Sequence, residues 1–140
     1  MSRILVAAAF VVICRKGWEI DPEGLAFFLR RMALDYAAGL PLYVTENGMT
    51  NADGVNADGH LRDRERTGYC EEHLAALAAL LEDGLPLKGY FAWSLLDNYE
   101  WAIGYSERFG LVHVDYNSQQ RPPKDSYLAW QDALMARRKQ

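Results

Sequence analysis

Pro41-Leu42-Tyr43-Val44-Thr45-Glu46-Asn47-Gly48 is the stretch on which the fold turns. Gly39 and Pro41 stop whatever precedes it, Leu42 to Thr45 are β-prone, and Asn47-Gly48 is a turn pair. The reading is a short strand that delivers a carboxylate, Glu46, to its own C-terminal end. Upstream, Asp21 is a good N-cap, Pro22 suits the first helical position and Glu23 the first turn. Leu25, Phe28, Leu29, Met32 and Tyr36 then follow at helical spacing. Downstream, residues 49–62 are polar and glycine-containing, which predicts a long, exposed, mobile loop. A helix is expected from Arg64 to Asp83, with Cys70, Leu74, Leu77 and Leu81 on one face, ended by Gly84 and Pro86. Lys88 to Ser94 reads as a second strand, residues 95–108 as irregular, and Phe109 to Asp115 as a strand or half of a hairpin. Pro122-Pro123 open a last helix with Tyr127, Trp130 and Leu134 on one face, and Arg137-Arg138-Lys139 suit its negative end. Helix, strand, helix, strand, helix is a βα repeat. It predicts an α/β fold with parallel strands, whose ligands bind at the C-terminal strand edge.

Composition narrows the function classes. The chain has 140 residues, half of them apolar, which suffices for a packed core and excludes disorder. A net charge of −4 argues against nucleic acid as a partner, because phosphate binding wants a basic stripe. Cys14 and Cys70 form no CxxC, and His60, His73 and His113 lack metal-ligand spacing, so no metal or other cofactor is expected. The apolar run Ile4 to Ile13, flanked by Arg3 and Arg15-Lys16, is too short to cross a membrane. It reads as a buried strand or stray extension, with a signal-like or membrane-contact segment as the alternative. No small-x-small cleavage site follows it. The expected location is therefore cytoplasmic, with export the minor alternative and no membrane partner.

Two segments carry chemistry. A carboxylate at a strand tip, held by rigid backbone, is what a nucleophile or general base needs. The plainer reading of Glu46 is a turn cap or a lysine partner. The second segment is Phe91-Ala92-Trp93-Ser94-Leu95-Leu96-Asp97-Asn98-Tyr99-Glu100-Trp101, continuing through Gly104 to Gly110. Aromatic faces pack on the C–H face of a sugar, while carboxylates and amides bind its hydroxyls. The plainer reading here is a core strand followed by an aromatic turn.

Taken together, the two segments resemble the family 1 glycoside hydrolases, the retaining β-glucosidase family. Thr45-Glu46-Asn47-Gly48 is similar to the family's nucleophile motif, and Trp93 to Trp101 to its sugar-recognition loop. Arg108-Phe109-Gly110-Leu111-Val112, Val114-Asp115-Tyr116 and Pro123-Lys124-Asp125-Ser126 follow in order, and Gly17 to Leu25 also fits. The resemblance implies a partial (β/α)₈ barrel, its seventh and eighth βα units, over residues 17–140, with residues 1–16 a divergent N-terminal extension. It implies Glu46 as nucleophile and Trp93 as the platform under the sugar. Glu100 would bind hydroxyls near C4 and C6, Trp101 one near C3, and Phe109 would line the same pocket. The substrate would be a β-glucoside or related small saccharide. Glu100 would repel a 6-phosphate.

What the family has and this chain lacks shapes the remaining expectations. A complete barrel takes about 250 residues. Retaining hydrolysis also needs a second carboxylate about 5–5.5 Å from the nucleophile. The family carries that acid/base in an Asn-Glu-Pro motif, which does not occur here. The chain thus reads as a truncated or frame-shifted product, with a sugar-binding remnant and a fragment needing a second chain as alternatives. Glu100, Asp97 and Glu107 are the nearby stand-ins for the acid. Open strand edges predict self-association, with Ile4 to Ile13 available as a substitute strand beside Tyr43.

Overall fold

The computed structural model describes the backbone of residues 5–7 and residues 19–137, apart from 52, 55 and 58. Cys14, Trp18 and most of the 1–16 extension lie outside the described residues, as do Arg138 and Lys139. The elements are β1 (Leu5–Ala7), α1 (Pro22–Arg31), β2 (Leu42–Asn47), α2 (Arg64–Glu82), β3 (Leu87–Ala92) and α3 (Asp125–Arg137). A wide π-type turn, Met32–Tyr36, extends α1, and a single 3₁₀ turn covers Trp101–Ile103.

The three strands form one parallel sheet in the order β1-β2-β3. The expected strand pair is thus present, and Leu5–Ala7 adds a third strand on the open edge of β2, opposite Leu42–Val44. α1 starts as read: the Asp21 carboxylate accepts from the Gly24 amide at 2.8 Å, with Pro22 at the first position. Its buried face is Leu25, Ala26 and Leu29, whereas Phe28 and Tyr36 are exposed. These residues meet Leu77 and Leu80 of α2 and Leu42, Val44 and Leu87 of the sheet in one apolar cluster. A smaller cluster of Met49, Tyr69 and Cys70 packs against Trp130.

Three expectations need correction. α2 is rotated from the predicted face: it buries Arg66, Tyr69, Cys70, His73, Leu77 and Leu80, while Leu81 is exposed. Arg66 turns inward because Asp53 and Asp63 wait for it, and His73 because it bonds and stacks on Tyr69, so apolar spacing alone misplaces the stripe. Phe109 to Asp115 is not a strand; isolated bridges Leu96–Val112 and Val112–Pro123 hold it. The described residues of 49–62 are irregular, as expected, but not uniformly exposed. Met49, Thr50 and Leu61 are buried, and the Asp53 carboxylate is buried in ion pairs. Gly54, Asn56, Gly59 and His60 do face solvent. On α3, Leu134 is exposed and Tyr127 and Trp130 are half-buried.

Candidate functional site

Parallel pairing brings the C-terminal ends of β2 and β3 to one edge. Glu46 is the penultimate residue of β2, and Trp93 is the first residue beyond β3. The Trp93 amide donates to the Asn47 carbonyl at 2.8 Å, so the two tips are bonded to each other. Gly48 is required there: a Cβ would collide with the Trp93 carbonyl oxygen. The Glu46 side chain is exposed, and no lysine pairs with it among the described residues.

Trp93 is half-buried, and its peptide bond to Ser94 is cis. Ser94 donates its amide to the carbonyl of Phe109 at 3.2 Å, and Leu111 donates to the Ser94 carbonyl at 2.9 Å. Buried Phe109 is thereby tied to the segment that carries Trp93. Glu100 and Trp101 lie on a small turn closed by bonds between Glu100 and Gly104. Glu100 is half-buried, Trp101 is 82% exposed, and neither hydrogen-bonds to Glu46. Near this turn Tyr99 meets Tyr105 edge-on at 5.3 Å, Tyr105 meets Tyr116 at 4.5 Å, and Arg108 lies 4.5 Å above the Tyr116 ring.

Two of the stand-in acids are committed elsewhere. Asp97 is buried. It accepts from Lys124 Nζ at 2.9 Å, Arg108 Nη1 at 3.1 Å, and the amides of Gly110 and Val114. Glu107 is buried and accepts from the Thr50 hydroxyl at 2.7 Å. Both act as structural anchors, because a buried carboxylate without such donors would be too costly to keep charged.

Asp97 belongs to an ionic cluster that the sequence reading missed. Lys124 bridges Asp97 and Asp53, and Arg66 bridges Asp53 at 2.6 Å and Asp63 at 2.5 Å. Asp63 also receives the amide and hydroxyl of Ser126. Arg66 reaches on to the Arg108 carbonyl at 2.7 Å. Burial works against the Arg66 charge, but Asp53 and Asp63 outweigh it and hold its pKa above the ordinary value. His113 lies 3.4 Å from Asp97, yet burial, aided by Arg108, pushes its pKa down. The only hint in the sequence was Pro123-Lys124-Asp125-Ser126. Arg66 sits in the charged run Arg62 to Arg66, which looks like a solvated face.

Among the described residues, no group of three or more His, Cys, Asp or Glu could hold a metal ion, and no helix is long and apolar enough to cross a membrane. A groove of about 420 Å³ lies between β3 and α3, lined by Tyr90, Phe91, Leu95, Trp130 and Met135 among others.

A parallel α/β unit thus carries an exposed carboxylate at one strand tip and a half-buried tryptophan just beyond the next, and comparison with known proteins gives its family. Residues 9–140 match the profile of glycosyl hydrolase family 1, and the chain belongs to that family. It is 48% identical over 110 residues to β-glucosidase A of Thermotoga maritima, covering 79% of this chain and 24% of that protein. It is 50% identical over 115 residues to a bifunctional β-D-glucosidase/β-D-fucosidase of Bifidobacterium breve, covering 79% and 25%. The crystal structure of a psychrophilic β-glucosidase from Micrococcus antarcticus superposes with a TM-score of 0.85 at 45% identity, over 92% of this chain and 28% of that one. The Thermotoga maritima β-glucosidase in complex with a substituted glucoimidazole gives 0.81 at 44% identity, over 85% and 27%. The chain thus spans about a quarter of the length of these relatives.

Proposed function

We propose that the chain carries the nucleophile side of a retaining β-glucosidase site, built on the last βα units of a (β/α)₈ barrel. The observation that carries this reading is the bonded pair of strand tips, which sets Glu46 and Trp93 on one edge of a parallel sheet. Glu46 attacks the anomeric carbon of a β-glucoside as the aglycone oxygen departs with a proton from the second carboxylic acid, and water, giving a proton back to that carboxylate, then hydrolyses the glycosyl ester. Trp93 stacks under the sugar, Phe109 backs it, and Glu100 and Trp101 bind its hydroxyls. The relatives' names, β-glucosidases and a β-glucosidase/β-fucosidase, support this substrate class. Residence in the cytoplasm is part of the proposal and is checked by cell fractionation.

The acid/base is assigned to no described residue. Asp97 and Glu107 are held by other donors, which supports the view that the second carboxylate comes from a further segment of polypeptide. An assembly reading has its own observation. Phe91, Leu95, Leu134 and Met135 are exposed around the groove beside β3, one of the two edge strands of the described sheet. The deciding experiment is turnover of a chromogenic β-glucoside, alongside covalent labelling by a 2-deoxy-2-fluoro-β-glucoside. We expect label on Glu46 and none on Glu46→Gln. Binding of a glucoside with neither turnover nor label would leave a sugar-binding remnant. Sedimentation reads self-association, and a clean monomer would rule it out.

A further inference from the structure

The register of β2 on β3 shifts twice: between Leu42 and Tyr43, where β3 carries an extra residue, and again beyond Val44. Val44 pairs with Tyr90, and the next pair is Asn47 with Ala92. Three steps along β2 therefore match two along β3, so β2 carries one extra residue across Thr45 and Glu46. This is a β-bulge, and bulges re-aim side chains beside active sites. Its effect is visible in burial. Leu42 and Val44 are buried in the cluster shared with α1 and α2, and strict alternation would send residue 46 the same way. Instead Glu46 is exposed and Asn47 is buried, so the alternation changes phase at the bulge.

A side-chain bond spans that irregularity. The Tyr90 hydroxyl donates to Asn47 Oδ1 at 2.7 Å. Tyr90 is itself fixed from behind: its ring packs against the apolar cluster and stacks on Trp130 of α3 at 5.8 Å. Asn47 is held from a second side by the Trp93 amide. A bulge interrupts the regular ladder, so without such a bond the tip could slip back one residue, and Glu46 would then face the helices.

We propose that Tyr90 is a positioning residue, which through Asn47 locks the bulge that turns Glu46 out of the helix-packed face of β2. The proposal rests on reading Glu46 as the nucleophile. Tyr90 never touches the sugar; it acts through backbone register. The chain from Trp130 through Tyr90 to Asn47 makes the packing of the last helix a determinant of where the carboxylate sits.

The test is amide hydrogen exchange by NMR on the full chain, parent against Tyr90→Phe. Losing one hydrogen bond should speed exchange at the Trp93 amide about three- to tenfold. The Leu42 amide, bonded to Pro86 at the other end of β2, should keep the parent rate. Asn47→Leu, which removes the acceptor, should reproduce that pattern, and the double variant should add nothing further. An unchanged Trp93 amide in Tyr90→Phe, equal acceleration at both ends, or additive effects in the double variant would overturn the clasp. In the labelling assay Tyr90→Phe should slow modification of Glu46 by a similar factor with unchanged affinity for the label; an unchanged labelling rate would overturn the positioning role. Failure to label the parent chain removes the nucleophile reading instead, and the exchange data still decide the clasp.

Discussion

Under β2 and β3 the interior is made of Leu25, Leu29, Leu42, Val44, Leu77, Leu80 and Leu87. A short way along α2 it is made of Asp53, Asp63, Arg66, Asp97 and Lys124, equally hidden from water. The first region is held by an interaction that is non-directional and scales with area, so its parts can be lost piecemeal. The second is held by matched charges, and its members are interdependent. Lys124 and Arg66 share Asp53, and Arg66 also anchors Asp63, which caps the start of α3 through Ser126. Removing one member strands the charges of the others. The ionic region also holds the segment that follows β3: Asp97 takes bonds from Gly110, Arg108 and Val114 and so fixes where that segment returns. The apolar half is thus held by burial that adds up residue by residue, and the ionic half by charges that stand or fall together.

The contrast is broken most directly at Arg66. Arg66→Met keeps much of the stem but leaves the Asp53 and Asp63 carboxylates short of a partner. The expected cost is about 3–5 kcal/mol, a large part of the roughly 5–15 kcal/mol that a domain of this kind holds. Urea unfolding followed by tryptophan fluorescence would measure it. A loss below about 1 kcal/mol would mean that the network is dispensable and the contrast false.

The apolar half should yield a smaller loss, and a more local one. Leu80→Ala opens a cavity between α1 and α2, at about 2–4 kcal/mol. Its signature is a lowered unfolding midpoint with the amides of Gly110 and Val114 still protected, since neither lies in that cluster. Loss of protection in the 97–114 segment would show that the two regions are coupled.

How much of this was legible differs between the halves for a physical reason. Apolar periodicity and breakers give Asp21-Pro22, the strand ending at Glu46 and the stop at Gly84-Pro86, because those signals are local and one-dimensional. The ionic half is built from residues far apart in sequence, such as Asp53 with Lys124 and Asp97 with Arg108, and no local pattern marks which charges find partners. The exposed-loop expectation for 49–62 failed at Asp53 for this reason. That Glu46 and Trp93 come to one edge was legible because parallel strands put their tips together. Asn47 and Tyr90 were not, since a bulge is a property of register and appears only when two strands are laid side by side.

The buried histidines give a subtler comparison through pH. His73, under α2, has its pKa lowered by burial, and its Nδ1 faces the Tyr69 carbonyl at 2.8 Å. Nδ1–H therefore donates, and Nε2 is buried without an acceptor, so a second proton would have nowhere to bond. His113 is shifted the same way. For a histidine with a lowered folded-state pKa, the unfolded chain takes up protons first. Stability is then fully present above the unfolded value near 6.5 and declines as pH falls below it. Thermal melts between pH 8 and pH 5 should show that fall, and His73→Phe should reduce its slope. A melting temperature that rises on acidification below pH 6.5 would contradict the assignment.

The smallest effect is expected where charges pair in water. Arg30 of α1 and Asp83, just past α2, meet at 2.7 Å, about as close as Arg66 and Asp53. Both side chains of the exposed pair are about half open to solvent. Water and salt screen the attraction, and two long side chains lose rotamer freedom to make it. A double-mutant cycle on Arg30→Ala and Asp83→Ala should return roughly 0.2–1 kcal/mol, falling toward zero in molar salt. Arg66 with Asp53 Oδ2 is the same functional-group pair at the same separation, differing chiefly in burial. If the exposed pair returned more than about 2 kcal/mol, burial would not be what distinguishes the ionic half, and its claim to a special structural role would have to rest on hydrogen-bond geometry instead.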